Sequence, residues 1–353
     1  MEKNKRLLEI DIVKGLAILF MFAVHIYEEY YIEELQDTGM LVHFVRFFGG
    51  PLAAPIFMLT MGICMTYTRH STGKDFIKRG VSLFFIGIAL QFVRDFIPVA
   101  IDAVRAHDKA IFYEAVDYLF SVDVLIFAGI TFLLFGLFKL SKLSDRWLIV
   151  FYLICALANE FLLPIKIENK PLAYVTGLIW GSWENTWFPM CTWIFYPIAG
   201  YLLGKKLQAC NDLDNFYKKT LTWSFMAFIP LLLIMFEFKI DCGALDGLFY
   251  DTYFQHNWFG NLIIFDLCML WLSIWHFASE NLPSIIKKTL IRWSVQLNTM
   301  YIIQWIILGY LCLFIPNYAQ PLWVVGIIFI CVIIISDFLA ANYSKIKHAK
   351  KAA

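Results

Sequence analysis

The sequence predicts an all-α, polytopic integral membrane protein with about ten transmembrane helices and both termini on the cytoplasmic side. Three observations predict it. Of 353 residues, 60% are hydrophobic and only 16% charged, whereas a soluble domain is usually ~25% charged. Apolar runs of the ~20 residues that a bilayer-spanning helix needs recur from end to end. With the N-terminus placed in the cytoplasm, 21 of the 29 Lys and Arg residues fall in inner segments and seven in outer ones. Basic residues are retained on the cytoplasmic side of a membrane, so this asymmetry sets both the number of crossings and their direction.

The expected spans are residues 10–30, 51–68, 77–97, 121–139, 147–165, 187–204, 220–238, 260–278, 293–315 and 321–341. The first follows Met1–Arg6, and no small-residue cleavage site comes after it, so it reads as a retained helix and not a signal peptide. His43 precedes the second span. The third opens in the basic "TGKDFIKRG", which carries Lys78 and Arg79. The fourth opens with Asp123 in "SVDVLIFAG". The eighth carries Asp266 and His276, the ninth Gln296, Asn298 and Gln304, and the tenth Asp337. Asp337 and His276 lie near inner ends and read as interfacial. No repeat or linker interrupts the series, so residues 1–353 read as a single transmembrane domain.

The inner loops are mostly short and basic. The outer ones, around 98–120, 166–186 and 239–259, mix aromatic and acidic residues, as in "DYLFSVD", "LIWGSWENTW" and "DGLFYDTYFQHNW". Such loops suit stacking on sugar rings and hydrogen bonding to hydroxyls; an interfacial aromatic belt is the structural alternative.

Several classes are excluded. Net charge is +1, so nothing attracts nucleic acid in bulk. The eight cysteines form no CxxC pair and read as small buried hydrophobes. No cluster has zinc or calcium spacing, so no metal is expected. GxSxG, P-loop and GxGxxG motifs are absent.

The stretch "EIDIVKGLAILFMFAVHIYEEYY", Glu9 to Tyr31, is the most informative. Lys14 and His25 are eleven residues apart, close to three helical turns, so they share a face with a rise of ~16 Å between them. Asp11 lies one turn before Lys14, and Glu28 and Glu29 one turn beyond His25. Ile18 and Met21 continue that face. Ionisable groups at membrane depth are costly and normally face a bundle interior or a wet cavity. The structural alternatives are a buried, hydrogen-bonded His25, and a Lys14 that pairs with Asp11 or snorkels to the interface.

These residues resemble a known family. "LEIDIVKGLAILFMFAVH" is similar to the opening helix of the transmembrane acyltransferase superfamily, which includes the heparan-alpha-glucosaminide N-acetyltransferases and the integral-membrane polysaccharide O-acetyltransferases. "GGPLAAPIFMLTMGICMTYTR", with Pro55 and Gly62, resembles their second helix. "FIKRGVSLFFIG" resembles the third, and "VDVLIFAGITFLL" the fourth. "FPMCTWIFYPIAGYLLGKKL" and "LNTMYIIQWIILG" resemble later ones. Lys14 stands where arginine is usual. The polysaccharide enzymes carry histidine at the His25 position. The heparan enzymes carry asparagine there and a catalytic histidine before the second helix, near where His43 lies.

The resemblance implies an acyltransferase that moves an acetyl group from cytosolic acetyl-CoA, as acyl donor, to a hydroxyl or amine of an extracytoplasmic sugar or glycan. The ~16 Å rise from Lys14 to His25 is about the reach of an extended pantetheine arm. Lys14, Lys78 and Arg79 would hold the CoA phosphates. His25, with His43 as the alternative, would deprotonate the acceptor or carry the acyl group. Asp123 or a nearby glutamate would orient the imidazole, and Asn298 or Gln304 would stabilise the oxyanion. The implied setting is the lipid bilayer of a plasma or inner membrane; homo-oligomeric assembly is compatible with it. The rival function is a transporter or channel with a polar intramembrane pathway.

Overall fold

The computed structural model describes residues 7–36, 39–238, 240 and 250–352. Among them the fold is helical throughout. Two isolated backbone bridges, Tyr31 with Gln320 and Val122 with Thr186, are the sheet-like pairings present. Lys3, Lys5, Arg6, Lys239, Cys242 and the rest of 241–249 in the third outer segment lie outside the described residues.

The helices α1 (Leu8–Tyr30), α2 (Glu33–Gln36), α3 (Met40–Gly49) and α4 (Ala54–Tyr67) open the chain. Then come α5 (Gly73–Gln91), a π-helical turn at Phe92–Phe96, α6 (Ile97–Ala106), α7 (Lys109–Leu119) and α8 (Val124–Leu140). The middle holds α9 (Asp145–Leu162), α10 (Lys170–Thr176), α11 (Met190–Trp193), α12 (Phe195–Ala209) and α13 (Leu213–Glu237). Last are α14 (Trp258–Ala278), α15 (Ser284–Leu311) and α16 (Leu322–Ala352). Each of the ten expected spans coincides with a helix or a broken pair. Six stretches are long and apolar enough to cross a bilayer on their own: Leu8–Tyr30, Met40–Tyr67, Gly73–Ala106, Leu213–Glu237, Trp258–Asn281 and Leu322–Lys347. The chain is an integral, multi-pass membrane protein.

Local chemistry explains the ends. Thr72 starts α5 with a capping box: its hydroxyl accepts the Asp75 amide at 3.1 Å, and its own amide donates to the Asp75 carboxylate at 3.2 Å. Asp123 caps α8, accepting the Val124 amide at 2.5 Å. Two outer segments read as loops hold helices, α6 with α7 and α10.

Lipid tails are as apolar as leucine, so small residues that let backbones approach drive helix pairing in membranes. The α5–α8 pair follows this rule. A Cβ placed on Gly80 would lie 2.8 Å from the Gly129 carbonyl oxygen, and one on Gly129 2.7 Å from the Phe84 amide nitrogen. A similar crossing joins α4 to α12, where Gly62 meets the backbone of Pro197 and Tyr201. The largest buried cluster runs through α4, α8, α12 and α14, with Trp193, Tyr196, Phe127 and Phe135 fully enclosed. A second, from Ile12, Phe22, Trp293 and Val332, joins α1 to α15 and α16. Between these two cores lies a polar interior.

Candidate active site

Two cavities open along that interior, and four helices, α1, α4, α8 and α15, line both. The first, about 370 Å³, lies at the His25 end of α1. The second, about 320 Å³, lies at the Lys14 end. Both volumes fall within the range of small-molecule sites.

In the first chamber α1 presents the face expected of it: Ile18, Met21, His25, Glu28 and Glu29 all line the space. His25 Nδ1 lies 3.1 Å from Gln304 Nε2 on α15. The imidazole packs on Trp305, centroid to centroid 4.3 Å. Arg94 also meets that indole, its guanidinium carbon 4.3 Å from the ring centroid. Arg94 is buried, and Nε donates to Asp95 at 2.7 Å while Nη1 is 3.2 Å from Asp123. Tyr301 donates its hydroxyl to Asp123, at 2.6 and 2.8 Å from its two oxygens. Asp123 therefore lines the His25 chamber, but its carboxylate is engaged by Arg94, Tyr301 and its own helix. An amide, Gln304, holds the imidazole in its stead.

Arg94 and Asp95 both reach the chamber from the π-helical turn. Such insertions shift side-chain register and concentrate at functional sites. Gly309 completes the fit: a Cβ there would lie 2.8 Å from the Arg94 carbonyl carbon, so only glycine lets α15 come this close.

The outer walls are fixed by further bonds. Arg46 on α3 grips Glu28, with Nε to Oε1 at 2.8 Å. Gln36 donates to the Glu28 and Tyr31 carbonyls at 3.0 and 2.9 Å, closing the end of α1. His256 meets the Tyr253 carbonyl through Nδ1 at 2.8 Å, and Tyr253 donates to the Gly50 carbonyl at 3.0 Å. These contacts hold Tyr253 and Phe254 against the chamber. At its mouth Tyr318 is pushed up to about 12, first by the charge of Glu29 and then by burial. Burial and the neighbouring Glu114 carboxylate raise Tyr118 as well. Both phenols remain neutral hydroxyls at physiological pH, able to donate or accept hydrogen bonds.

The second chamber gathers Lys14, Arg79 and Asn298, with Lys347 from α16. Arg79 lies over Phe132, its guanidinium carbon 4.5 Å from the ring centroid. Among the described residues no carboxylate lines this space. Asp11, which the sequence allows as a partner for Lys14, is buried and accepts the Ser294 hydroxyl at 2.6 Å.

The structure thus brings His25, Asp123 and Gln304 together at one end and Lys14, Arg79 and Asn298 at the other. Lys78 and His43 are exposed and line neither chamber. His276 and Asp337 are engaged elsewhere, His276 in a hydrogen bond with Asp214 at 2.8 Å and Asp337 in an ion pair with Arg292. Sequence reasoning did not single out Arg94, Tyr301 or Trp305. An Arg–Asp pair inside the apolar "QFVRDFIPV" was the available signal, because such a pair persists at membrane depth only when it is enclosed.

No curated protein and no solved structure matches the chain significantly. A family model does: heparan-alpha-glucosaminide N-acetyltransferase, catalytic, matches residues 6–235. That region includes α1, α4, α5 and α8; α15, which completes both chambers, lies beyond it. The match implies a membrane acetyltransferase. With more than half of its length matched, the chain belongs to the heparan-alpha-glucosaminide N-acetyltransferase catalytic family.

Proposed function

We propose that the protein transfers an acetyl group from acetyl-CoA, bound in the Lys14–Arg79–Asn298 chamber on the cytoplasmic side, to an amine or hydroxyl of a sugar entering the His25 chamber from the opposite side. One observation carries this reading. The two chambers share four helices, have Phe57 as the one lining residue common to both among the described residues, and differ in the charge of their linings. The inner one offers Lys14, Arg79 and Lys347 and, among the described residues, no carboxylate, which suits the phosphates of CoA. The outer one sets Glu28, Glu29, Asp95 and Asp123 against Arg94 and the Arg46 that pairs with Glu28, with aromatic walls from Trp187, Phe254 and Tyr318. Carboxylates and aromatic faces suit a polyhydroxylated ring, and the acidic excess favours one that bears an amine.

The step is direct transfer. The acceptor nitrogen or oxygen attacks the thioester carbon while its N–H or O–H proton passes to His25 Nε2. The C–S bond breaks, and the CoA thiolate takes the proton back from the imidazolium. Nε2 is a base only when Nδ1 carries the hydrogen. A half-turn of the Gln304 amide puts its carbonyl oxygen opposite Nδ1 and selects that tautomer. Asn298 lines the donor side, and in this reading its amide receives charge on the thioester oxygen.

The test is detergent-purified protein incubated with radiolabelled acetyl-CoA and glucosamine-terminated oligosaccharides. Label transferred to sugar, dependent on His25, is expected. Protein that binds no acetyl-CoA but moves solute across proteoliposomes would replace this reading with transport.

A further inference from the structure

We propose that the Phe57 ring is the partition between the two chambers and sets the length of acyl chain that can be transferred. The proposal deepens the donor and acceptor reading above and rests on it. One face of α4 runs through both spaces. Gly50, Ala53 and Ala54 line the outer chamber just before Phe57, and Thr60, Met61 and Cys64 line the inner one just after it. On α4 itself Ala54, Phe57, Thr60, Met61 and Cys64 recur at i+3 and i+4 and form one continuous stripe, with Gly50 and Ala53 in the turn just before the helix. Among the described residues Phe57 alone borders both chambers. It also packs against both apolar cores, which fixes the ring between them.

Its surroundings make the ring decisive. The outer chamber that it borders is also lined by the small side chains of Ala17, Ala53 and Ala54, and the inner one by Ala128. A thioester entering from the Lys14 chamber brings its carbonyl up to this ring, where an acceptor held beside His25 reaches it. A two-carbon acyl group ends at the constriction. Each further methylene has to occupy space that the ring or the acceptor already fills. A fitted pocket discriminates one methylene by ~10–200-fold, so a single aromatic side chain suffices to restrict the donor.

The experiment compares wild type, Phe57→Leu and Phe57→Ala with acetyl-, butyryl- and hexanoyl-CoA. Binding is followed by calorimetry, transfer by kcat/KM, and folding by size-exclusion profile. Wild type should favour acetyl. Phe57→Ala should raise the hexanoyl-to-acetyl ratio of kcat/KM at least ~10-fold, with Phe57→Leu intermediate. Phe57→Leu preserves most of the packed volume, so it carries the test if Phe57→Ala fails to fold. An unchanged ratio in both folded variants, with acetyl-CoA still bound, overturns the partition and leaves the donor reading intact. Wild type that binds none of the three thioesters overturns the donor reading, and the partition with it.

Discussion

Gln304 on α15 holds His25 on α1 through a 3.1 Å contact between Nε2 and Nδ1, so an amide, not a carboxylate, governs the imidazole at the centre of the outer chamber. An amide can face Nδ1 with either end, whereas a carboxylate can only accept. Gln304→Leu removes the contact and leaves the ring free to tilt on Trp305. A net hydrogen bond is worth ~0.5–1.5 kcal/mol, so kcat/KM should fall roughly 2- to 10-fold with acetyl-CoA affinity unchanged. Gln304→Glu accepts from Nδ1–H and should retain more activity than Gln304→Leu. Steady-state kinetics on the two variants checks the order. Equal losses would mean that Gln304 only fills space.

His25 and His43 separate cleanly. His25 lines the chamber, while His43 is exposed on α3 and borders neither cavity. General-base assistance typically contributes ~10²–10⁴-fold, so His25→Ala should lower turnover by that order with donor binding retained. His43→Ala should stay within a factor of a few of wild type. A dead His43→Ala beside an active His25→Ala would move the chemistry to α3.

Arg94 balances two carboxylates, Asp95 at 2.7 Å and Asp123 at 3.2 Å. Removing one partner of a buried ion pair costs ~3–5 kcal/mol, because a charge is left uncompensated. Arg94→Ala should therefore lower the melting temperature strongly and reduce yield. Tyr301→Phe removes only a hydroxyl from Asp123, where Arg94 and the α8 amide remain, and should cost ~1–3 kcal/mol. Thermal melts in detergent decide between them. A mild Arg94→Ala would mean that water or lipid headgroups already screen the cluster.

Much of this was legible in the sequence, and for a physical reason. Charged and imidazole side chains in an apolar run are too costly to face lipid, so Lys14 and His25 marked the polar face of α1 directly. Helical geometry then placed Ile18 and Met21 between them, and both line the outer chamber. Periodicity says nothing about partners far apart in the chain. Tyr301 and Asp123 are separated by 178 residues, and no local pattern joins them. Arg94 was hidden in a different way. It sits with Asp95 in a π-helical turn, and such a turn leaves no mark on hydrophobic patterning. Lys347 reaches the inner chamber because α16 continues beyond residue 341, the expected end of the last span, to Ala352.

The donor site gives a graded prediction. Lys14 and Arg79 line the inner chamber, whereas Lys78, beside Arg79 in sequence, lines neither chamber. The two neighbours point differently because α5 turns 100° per residue. Hydrogen bonds to charged groups are worth ~1.5–3 kcal/mol, so Arg79→Ala and Lys14→Ala should each weaken acetyl-CoA binding about 10- to 150-fold. Lys78→Ala should weaken it far less, through long-range attraction that salt screens within ~10 Å. Calorimetry at low and moderate ionic strength separates the two effects. A direct contact persists as salt rises, while the Lys78 contribution should vanish. Equal losses for Lys78→Ala and Arg79→Ala at both ionic strengths would place the phosphates outside the chamber, on the basic surface at the start of α5.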